Sequence, residues 1–191
     1  FASHFQKWAD EYKTRADIEV KVINDHSIGE SDKLGAIGDM NLVLEQEDVD
    51  EDMIVVAGDN LFDRSLEEFG KLCVEKNAAV LGTYDVGDME AAKKYSVIES
   101  DDSGKLTSFV EKPENPPTSK IGIALYFYPK HVLPMIKQYV AEGNNPDQPG
   151  RLVQWLYPQT DFYTWDVPGL WFDIGSKETL EEANKIYGET K

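Results

Sequence analysis

The sequence has little cysteine, few basic residues and no long apolar run, and each shortage excludes a class of protein. Its 191 residues include 1 cysteine and 3 histidines, which leaves no disulfide framework or Cys/His metal cluster to propose. Lys and Arg number 19 against 36 Asp and Glu, so a nucleic-acid backbone would be repelled. No stretch approaches the length of a membrane span. We expect a soluble, cytoplasmic chain without nucleic acid or membrane as a partner.

The hydrophobic residues, 41% of the chain, are arranged as strands and helices in turn. The run "MIVVA" at 53–57 is typical of a parallel strand covered on both faces. A helical stripe and the strand-like "AAVLGTY" follow it, which together predict a βαβ unit. From about residue 95 the strands are shorter, with "DDSG" at 101–104 as a hairpin turn. We predict one α/β domain over residues 1–191 with a mixed sheet.

The first part of the chain predicts a helix and then a strand. Phe1, Phe5, Trp8 and Tyr12 recur at helical spacing, and "IEVKVI" at 18–23 alternates as a strand does. Because the chain opens on an aromatic residue inside this helix, we expect further sequence upstream.

Acidic residues end two of the predicted strands. Asp59 follows "MIVVA" within "GDN", and Asp173 ends the aromatic strand of "WFDIGS". Ligands bind at the carboxyl ends of strands in open α/β sheets, and carboxylates there suit Mg²⁺. The residues alone leave open the alternative that Asp59 caps a turn and Asp173 caps the helix that follows.

Two further segments carry candidate binding residues. Glu111 and Lys112 precede a proline at the end of a strand, where a carboxylate for sugar hydroxyls and an ammonium for a phosphate would recognise a sugar phosphate. An ordinary surface pair is the alternative. In "DKLGAIGD", Gly35 and Gly38 stand near a helix start, where a backbone closely approaches a ligand or packs tightly.

The motifs "LGAIGD", "VVAGDN", "YSVIES", "FVEKPENP", "IGIALYFYP" and "GLWFDIGSKETLEEAN", taken in order, closely resemble the sugar-phosphate nucleotidylyltransferases, the family of glucose-1-phosphate thymidylyltransferase. The resemblance runs from about residue 1 to residue 188. It implies a Rossmann-like nucleotidyltransferase domain with a mixed, mostly parallel sheet. It also implies Mg²⁺-assisted transfer of a nucleotidyl group from a nucleoside triphosphate to a sugar 1-phosphate, releasing pyrophosphate.

The same resemblance assigns roles to individual residues. It makes Asp59 and Asp173 the metal ligands and, with Lys112, the catalytic residues. Glu111 would bind sugar hydroxyls and Lys112 the sugar phosphate. Ser96 stands where the family usually has glycine after tyrosine, which weakens the analogy at that position. The remaining substrate-binding candidates are Gly35, Gly58, Asn60, Tyr95, Ser96 and Gly122.

One departure from the family concerns the nucleotide. The family begins with a strand, a glycine-rich loop that holds the triphosphate and a helix, and this sequence has no such segment. We therefore expect this chain alone to be inactive. A non-catalytic sugar-phosphate-binding or regulatory module is one alternative, and a metal-dependent glycosyltransferase is another. The base, the sugar and the oligomeric state stay open, with association through the aromatic first helix as one option.

Overall fold

The structure, a computed structural model, describes residues 2–29 and 31–188. Within these residues no helix combines the length and the apolarity needed to cross a bilayer. A 3₁₀ turn at Lys130–Val132 leads into the fifth helix. The helices are α1 Ala2–Lys13, α2 Ala36–Gln46, α3 Glu67–Lys76, α4 Met89–Ala92, α5 Leu133–Ala141, α6 Pro149–Leu156 and α7 Lys177–Tyr187. The strands are β1 Met53–Val56, β2 Asn60–Phe62, β3 Ala79–Asp85, β4 Ser96–Ser100, β5 Leu106–Glu111, β6 Lys120–Tyr128, β7 Phe162–Asp166 and β8 Trp171–Asp173.

Strand β6 is the centre of the main sheet. Strand β3 pairs along one edge of β6, with β7 beyond it. The other edge of β6 is divided between two strands, because β1 pairs with residues 125–128 and β4 pairs with residues 121–122. Strand β5 adjoins β4, and β2 and β8 form a separate two-stranded ribbon. The sheet is thus continuous on one side of β6 and forked on the other.

The predicted α/β class and mixed sheet are confirmed, but the prediction that parallel pairs predominate is wrong. Among the described residues only β3 and β7 pair in parallel, and the other pairs are antiparallel. The strands of the predicted βαβ unit, β1 and β3, both lie antiparallel to β6, which separates them. Sequence periodicity reports which faces are buried and does not show that a later strand inserts between two earlier ones.

The two faces of the sheet carry separate hydrophobic clusters. Along β6, Ile121, Ile123, Leu125 and Phe127 alternate with residues of the opposite face, as a strand buried on both sides requires. Their cluster includes Phe69 of α3. The opposite cluster combines strand residues with apolar side chains of α2, α5 and α6. Helices therefore cover both faces of β6, and its residues are fixed in position where the fork opens.

The first part of the chain confirms one prediction and contradicts another. Helix α1 forms as expected, with Phe5 and Trp8 exposed; Phe1 lies outside the described residues. Residues 18–23 form no strand, although their polar and apolar residues alternate. A strand needs a partner edge, and within the described residues no strand pairs with this segment. Alternation of polar and apolar residues is therefore not sufficient to form a strand.

Strand β1 has an open edge and an open face. Its apolar run predicts burial on both faces, yet Ile54 and Val56 are 53% and 45% exposed. In the part of the chain that the structure describes, β1 pairs only with β6. A groove of about 780 Å³ runs between α2 and β1 and contains none of the predicted site residues. The apolar sequence of β1 suits a strand that is buried on both faces, whereas the described residues leave one face exposed.

The close packing of β3 against β6 gives a stability prediction. A Cβ added at Gly82 would lie 2.9 Å from Leu125 Cβ, whereas one added at Gly70 of α3 meets nothing within 4 Å. We expect Gly82→Ala to lower the free energy of unfolding by about 1–3 kcal/mol through overpacking. Gly70→Ala, the matched control, should raise it by up to about 1 kcal/mol through helix propensity. Urea unfolding measures both, and equal effects would contradict the packing described.

Candidate functional site

The β2–β8 ribbon brings together the two acids that end predicted strands. Asn60 is the register partner of Asp173, and the Ile174 amide donates to the Asp59 carbonyl at 2.9 Å. Antiparallel partners have Cα atoms about 5 Å apart, so Asp59 and Asp173 are close neighbours. Burial, and secondarily the charge of Asp59, raises the pKa of Asp173. Two carboxylates that repel one another form a site suited to a cation.

Neither acid serves as the cap that the sequence left open. The helix α7 begins at Ser176, whose hydroxyl accepts from the Thr179 amide at 3.1 Å in a capping box, so Asp173 does not cap it. The turn at Asp59 is closed through the backbone, where the Asn60 amide donates to the Ala57 carbonyl at 3.1 Å. Within the described residues neither carboxylate accepts a backbone capping bond, and the Asp59 carboxylate is engaged only by the Asn60 side chain.

Asn60 connects Asp59 to a tryptophan. Its side-chain amide donates to Asp59 Oδ1 at 2.8 Å and accepts from the Trp171 indole at 2.7 Å. The Trp171 ring contacts the rings of Tyr84 and Tyr95, with centroids 5.5 and 5.8 Å apart. The packed indole thus orients Asn60, and Asn60 orients the carboxylate. The Asn60 side chain, which the sequence analysis assigned to substrate binding, thus bonds Asp59 and Trp171.

The forked edge of β6 forms the floor of a cleft. Gly122 pairs with β4 and the Ala57 amide donates to the Ala124 carbonyl at 3.0 Å, so β4 and the end of β1 diverge between these positions. The cleft has a volume of about 430 Å³. Its lining residues are Ala57, Asp59, Asn60, Lys94, Tyr95, Ser96, Glu111, Lys112, Gly122, Ile123, Ala124, Tyr126, Asp147, Gln148, Pro149, Gly150, Trp171 and Asp173.

Eight of the ten residues to which the resemblance assigned a role line this cleft. They come from the ends of five strands and from the residues beside them: Asp59, Asn60, Tyr95, Ser96, Glu111, Lys112, Gly122 and Asp173. The other two lie outside the lining. Their convergence is a geometric result, and the role of each residue stays a prediction.

Gly35 and Gly58 are the two that do not line the cleft. Gly35 precedes α2 with a φ of 80°, and a Cβ there would lie 2.6 Å from the Asp147 Cα. It therefore packs against a loop that borders the cleft, and at this close approach only glycine fits. Gly58 is exposed in the turn after β1, and a Cβ there would meet nothing within 4 Å.

Lys112 has a backbone conformation that is unusual for its residue type. Its φ is 46°, in the left-handed region, and the residue precedes Pro113. Its amide donates to the Tyr95 carbonyl at 3.1 Å, which helps to hold this conformation. Strained backbone of this kind concentrates at functional sites because the surrounding structure must stabilise it.

Comparisons with known proteins show the family to which the chain belongs. The family model described as "Nucleotidyl transferase" matches residues 2–190. The chain belongs to the nucleotidyl transferase family. This confirms the resemblance drawn from the motifs and decides against the glycosyltransferase alternative.

Individual members of the family show the same relationship. The chain is 26% identical over 143 residues to a glucose-1-phosphate adenylyltransferase of Clostridium novyi, covering 73% of this chain and 37% of that protein. It is 27% identical over 137 residues to the bifunctional protein GlmU of Methanocaldococcus jannaschii, covering 72% and 32%. The chain thus spans about a third of the length of these curated relatives.

A solved structure shows the same fold. A UDP-glucose pyrophosphorylase complexed with UDP-glucose superimposes with a TM-score of 0.68 at 19% identity, covering 82% of this chain and 63% of that one. The Rossmann-like nucleotidyltransferase fold expected from the motifs is therefore confirmed.

The cleft is also lined by residues that were not selected from the sequence, among them Lys94, Asp147, Gly150 and Trp171. Lys94 lines the cleft beside Tyr95, and its only sequence signal is a position directly before the "YS" motif. Asp147 and Gly150 reach the cleft from the loop before α6 and from its first turn. Trp171 stands inside a quoted motif, but its contact with Asn60 depends on the β2–β8 pairing.

The proximity of the two acids predicts a measurable shift. Asp59→Asn removes the nearby negative charge and should lower the pKa of Asp173, which burial still keeps above its usual value. Because the pKa of Asp173 is raised in the folded state, the folded protein loses stability as pH rises through that pKa. In Asp59→Asn the pKa is raised less, so this loss of stability should be smaller. Carboxyl-carbon NMR titration measures the shift. The control Asp161→Asn alters a surface partner of Lys105 and should leave Asp173 unchanged; an unchanged pKa in Asp59→Asn would refute the proximity.

Proposed function

We propose that this chain forms the metal and sugar-phosphate part of a Mg²⁺-dependent sugar-1-phosphate nucleotidylyltransferase. The proposal is supported chiefly by one observation: a single cleft gathers Asp59, Asp173, Glu111 and Lys112 from separate parts of the chain. Family membership gives the class of reaction, and the cleft supplies groups that match its substrates. Cytoplasmic location and assembly into homo-oligomers stay predictions.

The two carboxylates fit the binding preferences of Mg²⁺. The ion takes oxygen ligands, and it is commonly held by one or two carboxylates while water and substrate phosphates complete its coordination. Among the described residues no group of three or more His, Cys, Asp or Glu side chains is arranged to hold a metal. Asp59 and Asp173 would therefore hold the ion together with phosphates of the substrates. When bound, it would neutralise charge that develops on those phosphates.

The part of the cleft beside the start of β4 and the end of β5 suits a sugar phosphate. Lys94 and Lys112 line the cleft there, and within the described residues neither ammonium has an ion-pair partner. Two such cations match a phosphate dianion. Glu111 lines the same side and supplies carboxylate oxygens for sugar hydroxyls. The phosphate would thus lie between the lysines and the acids, with the sugar directed toward Glu111.

The reaction follows from this placement without a nucleophilic side chain. A phosphate oxygen of the sugar 1-phosphate attacks the α-phosphorus of the nucleoside triphosphate and forms the new P–O bond. The bond from the α-phosphorus to the bridging oxygen breaks, and pyrophosphate leaves with the electron pair. Lys112 holds the attacking phosphate, and Trp171 and Asn60 hold Asp59 in orientation. Catalysis then comes from positioning and from electrostatic stabilisation.

We propose that the triphosphate is bound by an element outside the described residues. This element would also cover the open edge of β1, because Ile54 and Val56 are exposed there beside an unpaired edge of the sheet. An additional strand would satisfy the unpaired backbone groups and bury these side chains. The relatives' greater length is consistent with such an element.

The assay that tests this function measures pyrophosphate release with Mg²⁺, sugar 1-phosphates and a panel of nucleoside triphosphates. We expect activity in the longest form that the gene encodes and none in the 191-residue chain. Activity in the short chain would contradict the need for a further element. If both forms are silent yet bind sugar 1-phosphate by calorimetry, the chain is a non-catalytic sugar-phosphate-binding module.

The lysine of the cleft gives a second test. Lys112→Gln removes the cation proposed to bind the sugar phosphate, so KM for sugar 1-phosphate should rise about tenfold or more. KM for the nucleoside triphosphate should change little. The control Lys130→Gln removes an exposed lysine paired with Asp50, outside the cleft, and should leave both constants unchanged. A rise confined to the triphosphate KM would show that Lys112 binds the other substrate.

A further inference from the structure

Ser96 occupies a central position on the sugar side of the cleft. It begins β4, where its register partners are Glu111 of β5 and Gly122 of β6. Its side chain is half-buried and lines the cleft. The side chain at position 96 therefore affects both the floor of the cleft at Gly122 and the carboxylate of Glu111.

The Ser96 hydroxyl makes a direct hydrogen bond to Glu111. An ionised carboxylate only accepts, so Ser96 Oγ donates to Glu111 Oε2. Within the described residues Glu111 has no basic partner in an ion pair. The serine therefore engages one carboxylate oxygen and leaves Oε1 to accept from a ligand.

Gly150 lies close both to the same carboxylate and to the Ser96 hydroxyl. A Cβ added at Gly150 would lie 2.5 Å from Glu111 Oε2, 2.9 Å from Ser96 Oγ and 3.3 Å from Phe109 Cζ. Only the absence of a side chain allows the first turn of α6 to approach so closely. Ser96 thus bonds Glu111 Oε2, and the close approach of α6 at Gly150 leaves no room for a side chain against this hydrogen-bonded pair.

We propose that Ser96 is a positioning residue that determines sugar specificity by fixing the Glu111 carboxylate. This inference rests on the proposed function, because it assigns the free oxygen of Glu111 to a sugar hydroxyl. A fixed acceptor selects hexose 1-phosphates that present a hydroxyl at one place. It rejects deoxy analogues, whose binding leaves the acceptor desolvated and unpaired.

The substitution that tests this is Ser96→Ala in the longest form of the protein. We expect KM for the preferred sugar 1-phosphate to rise about tenfold, with little change in KM for the triphosphate. The preference for the parent sugar over its matching deoxy sugar 1-phosphates should fall by a similar factor. Ser96→Thr keeps the hydroxyl and should retain both properties.

A second variant disturbs the carboxylate without touching Ser96. Gly150→Ala places a methyl group against Glu111 Oε2 and should produce the same loss of sugar discrimination. Circular dichroism and triphosphate KM show whether each variant remains folded. Wild-type protein without activity would overturn the proposed function and this inference together. Active wild type with unchanged deoxy discrimination in Ser96→Ala would overturn the inference alone.

Discussion

The divided edge of β6 is the constraint on which the cleft depends. Because β1 and β4 each pair with only part of this edge, the chain leaves the sheet at Ala57 and enters it at Ser96 on either side of a gap. Gly122 forms part of the floor of that gap, and β3 supports it from the continuous side. Loops that are far apart in sequence therefore face one another across a rigid strand.

The second essential interaction is the pairing of β2 with β8. These strands are 3 residues each, and their pairing places Asp59 beside Asp173. Such a short ribbon would be marginal alone, but the packed Trp171 anchors it through Asn60. The same hydrogen bonds orient Asp59, so the contacts that stabilise the ribbon also shape the candidate metal site.

Sequence reasoning predicted local features better than their arrangement. The turn at 101–104 formed as expected because Asp101 accepts from the Ser103 amide and Gly104 supplies a positive φ, both of which are local properties. Eight site candidates converged because they stand at or near the ends of strands that meet around the forked edge of β6. The order of the strands in the sheet could not be predicted, because the insertion of β6 between β1 and β3 depends on contacts that are distant in sequence.

Other features of the site were not recoverable from a pattern. Lys94 resembles any exposed lysine in a charged segment, and only the fold shows that it lines the cleft. The close approach of Gly150 to Glu111 likewise depends on how α6 packs against β5. In contrast, the apolar alternation of 18–23 resembled a strand but lacked a partner edge in the described structure.

The most direct measurement is a crystal structure of the longest form of the protein with Mn²⁺ and a sugar 1-phosphate, using anomalous scattering to locate the metal. The account predicts an anomalous peak between the carboxylates of Asp59 and Asp173, with the phosphate beside Lys112 and the sugar against Glu111. A peak elsewhere, or a sugar phosphate bound outside this cleft, would contradict it.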